Sequence, residues 1–90
     1  MSRLLVKGAE AALPTSTGTG TSISQARVVR VVNTATNADH KVTIQNTAGG
    51  TTLGSFTVVR SSSELFEKEP TDIVWAANAA VLASAVGFTN

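Results

Sequence analysis

Apolar and polar residues alternate along this chain over short stretches, and a helical spacing is never sustained. In Arg27-Val28-Val29-Arg30-Val31-Val32-Asn33, Val29 and Val31 fall on one face and Val28, Arg30 and Val32 on the other. That predicts a strand at least partly covered on both sides. The stretch 33–39, rich in Asn and Thr, reads as a turn. Lys41-Val42-Thr43-Ile44-Gln45-Asn46 then alternates cleanly, predicting a half-buried strand with Val42 and Ile44 inward and Lys41, Thr43 and Gln45 outward. The following Thr47-Ala48-Gly49-Gly50-Thr51 supplies glycines able to take positive φ. Residues 53–60 are therefore expected to return as the partner strand of a hairpin, with Phe56 and Val58 on one face. Gly54 inside that run predicts a bulge or a close backbone approach.

Ser61-Ser62-Ser63 reads as a turn before a short strand over 64–69, with Leu65 on one side and Phe66 and Lys68 on the other, ended by Pro70. Residues 71–75 resume an apolar course with Ile73 and Trp75 sharing a face, and Trp75 is expected to be the largest filler of the core. Ala76-Ala77-Asn78-Ala79-Ala80 favours helix by propensity but lacks the length, so it reads as a loop or single turn. The chain closes with residues 81–89, whose Leu82, Val86 and Phe88 fit a last strand. Short strands separated by turn residues predict an all-β fold, a small β-sandwich or barrel of antiparallel strands.

The first 25 residues differ in composition from the rest. From Ala12 to Ser24 the chain is rich in Thr, Ser and Gly and too polar to offset its own ordering, which predicts an extended or mobile linker. Ahead of it, Leu4, Leu5, Val6 and Leu13 lie among Arg3, Lys7 and Glu10. This head is too short to fold alone. Two readings remain: an arm that anchors on a neighbour, or an edge strand added to the protein's own sheet. The expected division is an extended N-terminal arm and linker over 1–25 and a β-sandwich domain over 26–90.

Composition makes the expected core thin. Of 90 residues, 42% are apolar, but thirteen are Ala and eleven Val, and the only aromatics are Phe56, Phe66, Trp75 and Phe88. Each buried methylene stabilises by roughly 0.8 kcal/mol, so small side chains yield little per residue. There is no Cys to add a disulfide, which favours oligomerisation or docking on a larger assembly as the source of further stability. Leu4-Leu5-Val6 is too short for a signal-peptide core, and the run 73–88 is interrupted by Asn78, Ser84 and Gly87, so neither export nor a membrane span is expected. A net charge of +1 gives no reason to expect nucleic-acid binding. The charges are divided unevenly: 1–60 hold six basic residues against Glu10 and Asp39, while 61–90 hold Lys68 against Glu64, Glu67, Glu69 and Asp72. Opposite-sign patches of this kind can meet between neighbouring copies.

No reacting group stands out. His40 is the only histidine, and beside Asp39 in a turn it is better explained as exposed than as a metal ligand. Ser61, Ser62 and Ser63 lack a nucleophile-elbow context, and Asp39 is adjacent to His40 rather than placed to orient it. Glu64, Glu67, Glu69 and Asp72 lack the spacing of a calcium loop and read as solvated edge charges. Gly18-Thr19-Gly20 and Gly49-Gly50 are not followed by the Lys and Ser/Thr of a phosphate loop. No catalytic, cofactor-binding or metal-binding residue is assigned, and no enzymatic activity is expected.

Leu13-Pro14-Thr15-Ser16-Thr17-Gly18-Thr19, the strand Arg27 to Asn33, Glu67-Lys68-Glu69-Pro70-Thr71-Asp72 and the closing Ala85-Val86-Gly87-Phe88-Thr89-Asn90 together resemble small virion structural proteins of marine tailed phages, including cyanophages. The similarity spans most of the chain. It implies a non-enzymatic part of the particle, a capsid decoration or cement protein on the capsid surface that binds the major capsid protein, copies of itself, or both. A thin core and opposite-sign patches suit a protein stabilised by its neighbours. Arg3, Leu4, Leu5, Val6, Lys7 and Leu13 of the arm, with rim charges Glu67, Glu69 and Asp72, are the expected partner-binding residues. They would lie on a neighbouring subunit or augment an exposed sheet edge, with repetition adding avidity. The alternatives are a tail, neck or fibre component and a small receptor- or carbohydrate-binding β-module.

Overall fold

A computed structural model describes residues 3–16, 20–47 and 50–89, without the side chains of Arg3, Phe88 and Thr89. Positions 17–19 of the expected linker and Gly49 of the expected hairpin turn lie outside the described residues. The strands are β1 (Arg3–Val6), β2 (Ala11–Ala12), β3 (Val28–Asn33), β4 (His40–Gln45), β5 (Thr52–Val58), β6 (Ser63–Glu67), β7 (Ile73–Ala76) and β8 (Val81–Thr89). The fold is all-β, and every strand pair is antiparallel. One sheet runs β1-β8-β3-β6, with β2 also on β8, and the other runs β5-β4-β7.

The alternation of β3 translates directly into layers. Val29, Val31 and Asn33 point into the space between the sheets, and Val28, Arg30 and Val32 point out. Val42 from β4, Val58 from β5, Val74 and Ala76 from β7, and Val81 and Ala83 from β8 complete the core. Among the described residues, the largest fully buried side chains are six valines and Asn33, so the core is as thin as composition predicts. β-Branched valine loses little rotamer freedom on a pleated surface, which partly offsets its small volume. Phe56 and Phe66 close one side of the sandwich, ring centroids 5.3 Å apart at 60°.

The other side is closed by the N-terminal segment. Leu13 N–H donates to Val81 O at 3.0 Å, and Ala76 N–H donates to Pro14 O at 2.9 Å, so two consecutive residues join β8 of one sheet to β7 of the other. Thr21 and Val74 exchange hydrogen bonds of 3.0 and 2.8 Å, covering the outer edge of β7. Leu13 is itself a core residue. The described parts of the first 25 residues thus run along the body of the domain, and of the two readings of the head its own sheet takes it.

Several face assignments differ from expectation. In β7 the residues in the core are Val74 and Ala76, whereas Ile73 and Trp75 are half-buried on the outer face. Trp75 lies opposite Thr43, and Ile73 opposite Gln45, so these larger side chains bury the two polar residues expected to face solvent. The Trp75 Nε1 is buried and has no hydrogen-bond partner among the described residues. In β8 the inward set is Val81, Ala83 and Ala85, opposite Asn33, Val31 and Val29, which puts Leu82 and Val86 on the outer face. The bulge expected near Gly54 is present: the register slips between Ile44 and Gln45, leaving Leu53 as the extra residue.

The loop 22–26 is strained. Ile23, Ser24 and Gln25 all have positive φ, at 55°, 55° and 58°, one turn of left-handed helix closed by Ala26 N–H on Ser22 O at 3.3 Å. The Ile23 N–H donates to Thr21 Oγ1 at 3.1 Å and the Gln25 N–H to Ser22 Oγ at 3.1 Å, and Ile23 packs on the core. Those contacts hold a conformation that costs about 1 to 2 kcal/mol per residue.

Candidate interaction surface

The outer face of the five-stranded sheet is largely apolar, with Val86 and Ser84 within it buried. Strand register fixes its rows: Val6, Val86, Val28 and Glu67 in one, Ser84, Arg30 and Leu65 in the next, and Ala12, Leu82, Val32 and Ser63 in the third. A shallow groove of about 380 Å³ lies over this face between Leu4, Val6, Arg30 and Ser84. Arg30 reaches across it to Glu10, Nη1 to Oε2 at 3.5 Å, so the central charge is locally balanced. Leu4 is 42% exposed, Leu5 46%, Val6 66% and Leu65 47%. All four belong to β1 and β6, the two edges of this sheet.

The residues expected to bind partners are separated by the fold into three groups. Leu4, Leu5, Val6 and Lys7 are exposed on or beside the β1 edge, and Arg3 begins that strand opposite Thr89. Glu67 is exposed on the opposite edge, and Glu69 beyond it pairs with Arg27 at 3.8 Å. With both side chains mostly in solvent, that ion pair contributes little. Leu13 and Asp72 are removed from any contact surface. Leu13 is in the core, and Asp72 is buried in the 69–72 turn, its Oδ2 accepting from Glu69 N–H at 3.2 Å while its own N–H donates to Glu69 O at 3.0 Å. Lys68 next to it is also buried, its Nζ donating to Glu69 O at 3.2 Å and Pro70 O at 3.4 Å. Burial lowers the Lys68 pKa from the ordinary lysine value, and the nearby Asp72 charge opposes that shift.

Two contributors escaped the sequence reading. The alternation places Leu65 in a strand without assigning it a surface, and Arg30 on a partly covered face. Both become legible only once β3 and β6 are paired, because the pairing sets Leu65 beside Arg30 on the outside.

The polar constellations weighed for chemistry are occupied structurally. Asp39 Oδ1 accepts from Arg60 N–H at 3.0 Å and Nε at 3.1 Å, and these bonds lower its pKa below the ordinary carboxylate value. Ser61 Oγ donates to Ala35 O at 3.4 Å. Among the described residues, no group of three His, Cys, Asp or Glu side chains gathers as for a metal. No helix among them is long and apolar enough to cross a membrane.

No protein-family model matches this chain. No curated protein matches it either. Among solved structures it is similar to a chain of the Bacillus endospore appendages, described as a novel family of disulfide-linked pili, with a TM-score of 0.48 and 19% identity over 98% of this chain and 80% of that one. The present chain has no Cys and therefore holds no disulfide.

Proposed function

We propose that this protein is a non-enzymatic structural component of a virus particle, a capsid decoration or cement protein that binds a preformed shell in many copies. The observation that carries this reading is the exposure of Leu4, Val6 and Leu65 on the outer face of one sheet, while the core behind it is built from valine. A surface this apolar on so small a domain is a contact face awaiting a partner. The outer face lies against the shell, with Leu4, Val6 and Val28 supplying apolar contact and Arg30 with Glu10 supplying orientation. Many weak copies then hold through avidity. The resemblance of the chain to small virion proteins of marine tailed phages supports the same reading.

The test is occupancy on purified shells. Replacing Leu4 and Val6 by Ser is expected to reduce the bound copies sharply without unfolding the domain, since both side chains lie outside the core. Undiminished occupancy overturns the reading. Quantitative mass spectrometry of particles separates it from a tail, neck or fibre part: a decoration protein approaches the copy number of the shell subunit, and a tail part falls far below it.

A further inference from the structure

The two edges of the five-stranded sheet are complementary to each other. Strand direction alternates along β1-β8-β3-β6, so over this even path β1 and β6 run in opposite senses. A second copy set alongside in the same orientation brings its β1 antiparallel to β6 of the first, and the ladder can continue from chain to chain.

The free backbone groups on each edge follow from the hydrogen bonds already made. Lys7 N–H donates to Ala85 O at 2.8 Å, so the odd residues of β1 turn their backbone groups to β8, and Leu4 and Val6 turn theirs outward. Lys68 N–H donates to Arg27 O at 2.7 Å and Asn33 N–H to Ser62 O at 2.9 Å, so the even residues of β6 face β3. Ser63, Leu65 and Glu67 face outward.

We propose that β1 of one copy pairs head to tail with β6 of a second copy, with Val6 opposite Leu65 and Leu4 opposite Glu67. Both of these pairs use outward-facing backbone groups on both strands, and the outer faces of the two sheets remain continuous. The same register sets Leu5 against Phe66 and Lys7 against Glu64, two apolar pairs and one opposite-charge pair over the four residues Leu4 to Lys7. A two-residue slip, with Leu4 opposite Leu65, instead sets Leu5 against Glu64 and Val6 against Ser63, and the charge pair is lost. The remaining edges are less suited to augmentation: Leu53 bulges out of β5, and residues 14 and 21 cover β7. The contact is heterologous, so repetition generates rings or open rows of copies rather than a closed pair. It rests on the many-copy reading above for its setting, and it names the lateral partner in that assembly.

Proline tests the two edges separately, because Val6 and Leu65 each turn an N–H outward that makes no bond to another described residue. In analytical ultracentrifugation of the purified chain, the wild type is expected to exceed the mass of a dimer as concentration rises. V6P and L65P alone are expected to stay monomeric. Mixed in equal amounts they are expected to stop at two chains, since one keeps an intact β6 and the other an intact β1. K7E is expected to weaken association about fivefold, with recovery in K7E/E64K. The charge swap decides if a proline variant loses the native circular dichroism. A wild type monomeric up to roughly millimolar concentration, or proline variants that associate as it does, overturns the inference. Shells are absent from this experiment, so its failure is distinct from failure of the shell-binding reading.

Discussion

The Asn33 side chain donates from Nδ2 to the carbonyl of Val58 at 2.9 Å, tying β3 of one sheet to the end of β5 in the other. The second Nδ2 hydrogen goes to Ala38 O at 3.0 Å, and Oδ1 accepts from Ala35 N–H at 3.0 Å, so one fully buried amide organises the whole 33–39 turn. Asn33→Ala leaves two carbonyls and an N–H without their partner inside the protein. A loss of about 2 to 4 kcal/mol is expected in urea unfolding. Asn33→Asp should be no milder, because a carboxylate cannot donate to either carbonyl.

The head of the chain divides into a buried end and an exposed end. Leu13 is 3% exposed within the core, whereas Leu5 is 46% exposed on an edge strand. Leu13→Ala is expected to cost about 2 to 4 kcal/mol, as for other buried leucines. Leu5→Ala should change the stability of the monomer by no more than about 0.5 kcal/mol. Chemical denaturation of the two variants measures both; equal costs would mean that residues 11–14 do not close the sandwich.

Ser24 sits in the middle of the left-handed turn with φ of 55°, a conformation that glycine adopts freely. Its side chain is exposed. Ser24→Gly is therefore expected to stabilise the protein by about 0.5 to 1 kcal/mol, and Ser24→Val to destabilise it by at least as much. A thermal melt in which glycine lowers Tm would contradict this assignment of strain.

Acid should weaken the protein partly through Asp39. Its folded pKa is lowered, first by the Arg60 backbone N–H and then by the Arg60 side chain. The stability it contributes is thus complete above the ordinary Asp pKa of about 3.9 and is lost as pH falls through the lower folded value. Asp39→Asn is expected to flatten the fall in unfolding free energy between neutral pH and about pH 3. An unchanged slope would place the acid sensitivity elsewhere.

Where alternation is clean, sequence and structure agree on the element, although Thr43 and Gln45 of β4 are buried rather than facing solvent. Lys41 to Gln45 forms β4, the glycine-bearing segment joins it to β5, Gly54 adjoins the bulge, and the Ala-rich 77–80 segment is a turn in which Asn78 Oδ1 accepts from Ala80 N–H at 2.8 Å. Turn residues and period-two patterns act over a few positions, so local chemistry suffices to read them. Faces were misread where both are apolar. Ile73-Val74-Trp75-Ala76 offers two acceptable faces, and residue size points to Trp75, whereas the narrow space between the sheets takes Val74 and Ala76.

By itself, then, the sequence determined that the chain would be built from short antiparallel strands, with a valine-rich core and no disulfide. Parity along each strand, the turn residues and the lack of Cys suffice for that. Only the tertiary structure decided which parity faces inward, that Leu13 belongs to the core, and that β1 lies on β8 while its other edge remains free. The reason is that a strand's backbone groups are the same along any sheet edge. Their partner is chosen by the packing of side chains distant in sequence, which brings Arg30 and Leu65 onto one face and leaves Lys7 and Glu64 on opposite edges of one sheet.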